Sequence, residues 1–154
     1  MCREMRRKDR LLSEIEIDEI MRNSEYGILS TVGEKEVPYG IPLNYVYKDG
    51  NIYFHCALTG HKLDNIKFNN SVSFCVVNDV KLIAESFTTK FKSVICFGKV
   101  DEVSGEKKQE IFISLIEKFS GDFKEEGIEY IKKVGDKAKI FCIKVDYMTG
   151  KGNK

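Results

Sequence analysis

The apolar positions along the chain change period several times, and each change marks an element. Leu43, Tyr45 and Tyr47 alternate with Asn44 and Val46, the period-2 signature of a half-buried strand. Asp49-Gly50 follows, a turn pair suited to positive φ, and Ile52 to Cys56 returns as the partner strand. Strand patterns recur over Tyr26 to Val32, Ser71 to Asn78, Lys92 to Val100 and Ala138 to Tyr147. In the second of these Val72, Phe74 and Val76 face one way and Ser73, Cys75 and Val77 the other. Helical spacing appears at Ile17, Ile20 and Met21 behind a Ser13-x-x-Glu16 capping box, predicting a helix that ends near Asn23. Leu63, Ile66 and Phe68 predict a short helix over His61 to Phe68, stopped by Asn69-Asn70. Gly105 to Phe119 carries the clearest stripe: Ile111, Phe112, Leu115, Ile116 and Phe119. Ile128, Tyr130, Ile131 and Val134 predict one more short helix, ended by Gly135. Residues 79–90 lack a clear period and read as a loop, with a helical turn as the alternative, residues 1–10 as a solvated arm, and Thr149 to Lys154 as a polar tail.

About six strands, mostly joined antiparallel, with three or four helices, predict a small closed barrel with helices packed outside. Pro38 and Pro42 cannot donate to a ladder, so they place their strand at an edge or at a bulge where a ligand can approach. Gly98, inside a strand pattern, predicts close approach by another backbone or a ligand.

Composition narrows the class. The 154 residues suit one domain, 1–154, with a sizeable core. A formal net charge of +1 argues against nucleic acid as the main partner. No apolar run approaches the roughly 20 residues of a membrane span, and charged Met1 to Arg10 is followed by no apolar signal region. The cysteines (Cys2, Cys56, Cys75, Cys96, Cys142) are odd in number, widely spaced and free of C-x-x-C. That is buried, reduced usage and points to a cytoplasmic protein without disulfides or zinc.

Chemistry concentrates between Val37 and Asn69, which holds both histidines. Ala57-Leu58-Thr59-Gly60 leads into the helix at His61, so free backbone amides face outward at the helix start. His61 and Lys62 stand there, where cations oppose the helix dipole unless an anion compensates them. The same lysine on an ordinary solvated surface would need no ligand. Phosphate-loop, dinucleotide and serine-elbow motifs are missing from the sequence. His55, Cys56 and His61 lack a fourth metal ligand at sensible spacing, and a Cys56–His61 nucleophilic pair lacks an orienting third group. No metal is expected.

Pro42-Leu43-Asn44-Tyr45, Asp49-Gly50, Tyr53-Phe54-His55-Cys56-Ala57 and Gly60-His61-Lys62 with Asn65-Ile66 resemble the core motif of the 5-nitroimidazole-resistance (Nim) proteins. These belong to the pyridoxamine 5′-phosphate oxidase-like FMN-binding split barrels. Met5 to Arg10, Tyr26 to Thr31, Ser93 to Lys99 and Met148 to Lys151 fit the same pattern, so the resemblance covers nearly the whole chain. It implies a mainly β fold with flanking helices: a six-stranded antiparallel split β-barrel, homodimeric, with FMN at the subunit interface. His61, Lys62 and Thr59 would then grip the phosphate. His55 and Cys56 would line the ribityl chain and ring edge. Pro42, Leu43, Asn44 and Tyr45 would lie along the isoalloxazine, with Leu29, Ser30 and Thr31 completing the ring site. Ser93, Phe97 and Lys92 would reach in from the second subunit. Core packing is the competing role for Leu29, Leu43 and Phe97. Pyridoxamine-phosphate oxidases proper usually carry arginine where His61 stands, which argues against pyridoxamine phosphate as substrate.

The resemblance implies an FMN-dependent oxidoreductase passing electrons from NADH or NADPH to a small acceptor such as a nitroimidazole or other nitroaromatic compound. The alternative is a binding module holding flavin or haem without turnover. With no acid–base pair or nucleophile triad among these residues, the flavin is expected to supply the chemistry, leaving His55 and His61 as the candidates for proton transfer.

Overall fold

The computed structural model describes residues 3–153; Met1, Cys2 and Lys154, included in the arm, cysteine and tail readings, lie outside the described residues. Ser13 opens α1 (Glu14–Asn23) with the reciprocal cap its sequence predicts: its hydroxyl accepts from the Glu16 amide and the Glu16 carboxylate accepts from the Ser13 amide. In chain order there follow β1 (Tyr26–Val32), β2 (Pro38–Asn44), β3 (Val46–Lys48), β4 (Asn51–Cys56), α2 (His61–Phe68), β5 (Ser71–Ile83), β6 (Thr88–Val103), α3 (Gly105–Ser120), α4 (Lys124–Val134) and β7 (Lys139–Gly152). The strands pair antiparallel in the order β2-β1-β5-β6-β7-β4-β3. This is a split barrel with helices outside it. β2, which carries both prolines, is one rim, where missing amide donors cost least.

Seven strands stand where the sequence predicts about six. The alternating run from Leu43 to Tyr47 is two strands on opposite rims. Leu43 pairs with Gly27 in β1, whereas Val46 and Tyr47 pair with Tyr53 and Ile52 in β4. Tyr45 makes the passage between them, fully buried, its hydroxyl donating to the Met21 carbonyl at 2.8 Å. Burial breaks its alternation at the bend, where Tyr45 and Val46 are both buried, but the alternating residue types Leu43, Tyr45 and Tyr47 carry on through it, so the sequence pattern alone does not reveal it.

Two segments read as irregular are regular. Residues 79–83 and 88–90 continue β5 and β6 as a two-stranded arm, with Lys81 opposite Lys90 and Ile83 opposite Thr88, after a register shift at Asn78, and a helical turn over Ala84–Ser86 joins them. Its sides are largely in water, so no burial pattern marks it; Phe87 at its turn is 98% exposed. The expected polar tail is the end of β7, where Lys151 and Gly152 pair with Ser93 and Lys92. Phe68 also departs from expectation. Its neighbour Ile66 is buried, but Phe68, two residues on and about 200° round the helix, is exposed.

Leu29, Phe54, Phe74, Val76, Val94 and Ile143 fill the barrel. A second cluster lies outside it, where Ile111, Phe112 and Leu115 of α3 cover Val46, Tyr53, Ile140 and Cys142. This places Ile140 to Ile143 between two apolar layers and leaves that stretch without alternation. Gly98 sits at a bulge where a Cβ would fall 2.1 Å from the Lys144 carbonyl oxygen, so the close approach expected there is made by backbone. Cys56, Cys96 and Cys142 are buried, Cys75 is half-buried, and all four are free thiols. No helix among the described residues is long and apolar enough to cross a membrane.

Candidate functional site

α2 starts where β4 has run out of partners. Gly60 precedes it with φ +142°, a conformation that favours glycine, and accepts at its carbonyl from the amides of Leu63 (2.9 Å) and Asp64 (3.2 Å). The amides of His61 and Lys62 come before those of the first turn's closing bonds and have no intrahelical acceptor. Thr59, Gly60 and His61 are exposed and Lys62 is half-buried.

The helix is held against the barrel end by a small polar contact. Asn65, buried, donates from Nδ2 to Thr31 Oγ1 at 3.0 Å, and Thr31, also buried, donates to the Tyr39 carbonyl at 3.4 Å. Gly33 lets α2 come this close, since a Cβ there would lie 2.1 Å from Asn65 Oδ1. The Tyr39 ring lies 4.1 Å from that of His61. Tyr39 and Asn65 are absent from the site expected from sequence. Asn65 had a signal: a polar residue beside Ile66 on the buried arc of a short amphipathic helix.

Strand register sorts the remaining candidates. Across neighbouring strands Pro42, Ile28, Cys75, Ile95 and Thr149 form one row, and Gly40, Ser30, Ser73, Phe97 and Tyr147 the next. These rows lie on the outer surface of the β2-β1-β5-β6 wall, where Ile95 is 40% and Phe97 39% exposed. Ser30, Pro42, Asn44 and Phe97 therefore share one outward face; Ser93 lies on the same side of β6 as Phe97 but is buried. Asn44 is exposed and donates to the Glu25 carbonyl at 3.0 Å. Leu29, Thr31, Leu43 and Tyr45 point inward, so only their backbone can reach that face. Leu29 and Tyr45 are core residues with fully enclosed side chains.

His55 and Cys56 end β4, the first exposed and the second facing the core. Crowding by the surrounding protein, and then the charge of Lys62, push the His55 pKa down, so the imidazole is neutral at pH 7. Burial pushes the Cys56 thiol up, more than Lys62 and Lys139 pull it down. Cys56 is thus a protonated thiol at neutral pH, a poor nucleophile. Among the described residues no group of three or more histidine, cysteine or acidic side chains could hold a metal ion. A concavity of about 690 Å³ lies elsewhere, between α1, Tyr47 and Met148, and shares no residue with this cluster.

Comparison with known proteins adds a family. The sequence matches the pyridoxamine 5′-phosphate oxidase family over residues 13–151. No curated protein matches it. Among solved structures, it is similar to a "putative 5-nitroimidazole antibiotic resistance protein" of Bacteroides thetaiotaomicron, with 21% identity, TM-score 0.75, and 92% of this chain and 85% of that one covered. A conserved hypothetical protein of Mycobacterium tuberculosis gives 20% identity and TM-score 0.83, covering 97% and 90%. An FAD and haem binding protein of Mycobacterium smegmatis gives 12% identity and TM-score 0.80, covering 92% and 72%. At these identities the structural likeness establishes the fold.

Proposed function

The chain belongs to the pyridoxamine 5′-phosphate oxidase family, and from that premise we propose that it is an FMN-dependent oxidoreductase of the cytoplasm, acting as a homodimer over the whole of residues 1–154. One observation carries the reading. A glycine-led helix start bearing His61 and Lys62 lies at the end of a barrel whose neighbouring wall leaves Ser30, Pro42, Asn44 and Phe97 on one uncovered face.

The donor set suits a phosphorylated flavin. The Lys62 amine, the His61 ring, the Thr59 hydroxyl and two amides without intrahelical acceptors can neutralise and hydrogen-bond a phosphate. The outward wall offers flat, small and apolar positions to a planar ring, with the Asn44 amide and the Ser30 hydroxyl at hand for polar edges. A bound flavin would supply the two-electron chemistry. The chain's own residues bind and orient, and a second copy on the same wall excludes water. Phe97, exposed on that wall, would then serve the partner's site, with Ser93 buried on the same strand. Nicotinamide serves as donor and a small nitroaromatic compound, such as a nitroimidazole, as acceptor. Neutral His55 is the side chain at the β4 end able to pass a proton near pH 7.

Purified protein tests this directly. Flavin absorbance that bleaches with NADH or NADPH and returns on adding a nitroaromatic or quinone is the expected result. A stable flavin spectrum that neither donor bleaches, or a Soret band in its place, favours the second reading, a flavin- or haem-binding module without turnover. The FAD and haem binding of the Mycobacterium smegmatis protein is what keeps that reading open.

A further inference from the structure

Tyr39 is half-buried on β2, its ring centroid 4.1 Å from that of His61 and the two planes tilted by 33°. Neither ring belongs to the two apolar clusters that stabilise the fold. The Tyr39 backbone is also part of the attachment of α2, because its carbonyl accepts from Thr31, whose hydroxyl accepts from Asn65. Two contacts, a ring contact at His61 in the first turn and a hydrogen-bonded chain from Asn65 one turn on, therefore fix α2 to the β1–β2 edge. An exposed histidine with no such neighbour would sample several rotamers, and a ligand would have to order it on binding.

Resting on the flavin reading above, we propose that Tyr39 is a positioning residue for the cofactor phosphate: its ring holds the His61 imidazole in the orientation that a phosphorylated flavin meets. Tyr39 acts through His61 and does not itself touch the phosphate. The operating feature is the ring face, so phenylalanine reproduces it and leucine does not.

The test compares FMN with riboflavin, which lacks the phosphate. Full-length wild type, Tyr39→Phe and Tyr39→Leu are titrated with each by flavin fluorescence, with melting curves as folding controls. Tyr39→Leu is expected to weaken FMN by about tenfold and riboflavin by less than about twofold, while Tyr39→Phe matches wild type for both. Tyr39→Thr, which suits a strand, replaces the leucine variant if that one does not fold. Unchanged FMN binding by the leucine variant overturns the proposal. Equal weakening of both flavins overturns it too, because the site as a whole has then been damaged. A phenylalanine variant as weak as leucine overturns it by making the hydroxyl the operating group. Wild type that binds riboflavin as tightly as FMN removes the phosphate site and this role with it. Wild type that binds neither refutes the flavin reading itself, a result distinct from all the others.

Discussion

The barrel has two walls built from the same alternating residues and treated in opposite ways. On the β4–β7 wall, Tyr53, Ile140 and Cys142 face outward and the stripe of α3 covers them. On the β1-β5-β6 wall, Tyr26, Ile28, Cys75, Ile95 and Phe97 face outward and, among the described residues, belong to neither apolar cluster. The first wall is completed by the chain itself. The second keeps large apolar side chains beside serine, glycine and proline, a composition suited to contact with something else. The difference teaches that alternation locates a sheet face but not what lies on it.

Removing part of α3 should break this comparison most severely. Ile111 is fully enclosed between α3 and the covered wall. Ile111→Ala is expected to lower unfolding free energy by about 2–5 kcal/mol. Urea denaturation measures this, and the loss should be the same at every protein concentration, because the contact is made within one chain. A loss under about 1 kcal/mol would mean that α3 covers its wall only loosely.

The bare wall should answer in the opposite manner. Ile95→Asp leaves the barrel interior intact but puts a carboxylate where the partner subunit is proposed to sit. Burying it unpaired costs about 3 kcal/mol or more, a factor of about a hundred in dimer dissociation. Sedimentation should show a dimer of the wild type at micromolar concentration and a monomer of the variant. A wild type that is itself monomeric would separate this wall from any self-association and remove the second-subunit residues from the site.

Much of this contrast was legible in the sequence, and the remainder was hidden for definable reasons. The capping box at Ser13, the Asp49-Gly50 turn, the α3 stripe and the glycine entry to α2 are local signals, and local signals decide those elements. The passage at Tyr45 was hidden because Leu43, Tyr45 and Tyr47 keep period two in residue type while the strand changes partner, even though Tyr45 and Val46 are both buried. The 79–90 arm was hidden because a two-stranded ribbon in water needs no apolar face. At the site, a ligand contact read as three consecutive residues, Leu29-Ser30-Thr31, cannot be made by three side chains of one strand; the pleat sends the outer two inward. Tyr39 escaped because ring contacts between β2 and α2 depend on how the helix docks, and that rests on Gly33 and Asn65.

A charge at the start of α2 sharpens the comparison by separating ligand from fold. Lys62→Ala removes a half-buried amine outside both apolar clusters, so stability should change by less than about 0.5 kcal/mol. Loss of a charge-assisted contact to phosphate costs roughly 1.5–3 kcal/mol, about tenfold or more in FMN affinity. Calorimetric titration gives the affinity and a thermal melt the stability. Equal flavin affinity in variant and wild type would place the phosphate elsewhere.

The smallest expected effect is a pH dependence at the end of β4. His55 has a pKa below its ordinary 6.5, lowered first by crowding and then by Lys62. As pH falls through 6.5 the unfolded chain takes up this proton before the folded one does. Stability then falls with pH across the window from 6.5 down to the folded value, and stops falling once both states are protonated. His55→Gln lacks this component, so its unfolding midpoint should decline less than that of wild type between about pH 7.5 and about pH 5.5. Lys62→Ala should lie between the two, because it removes the second cause and leaves the first. The ordering of the three slopes is the measurement. If Lys62→Ala tracks wild type, the Lys62 charge does not reach His55, and the β4 end and the α2 start do not act as one electrostatic unit. If His55→Gln also tracks wild type, the imidazole is solvated as in the unfolded chain, and its neutrality at pH 7 owes nothing to the site.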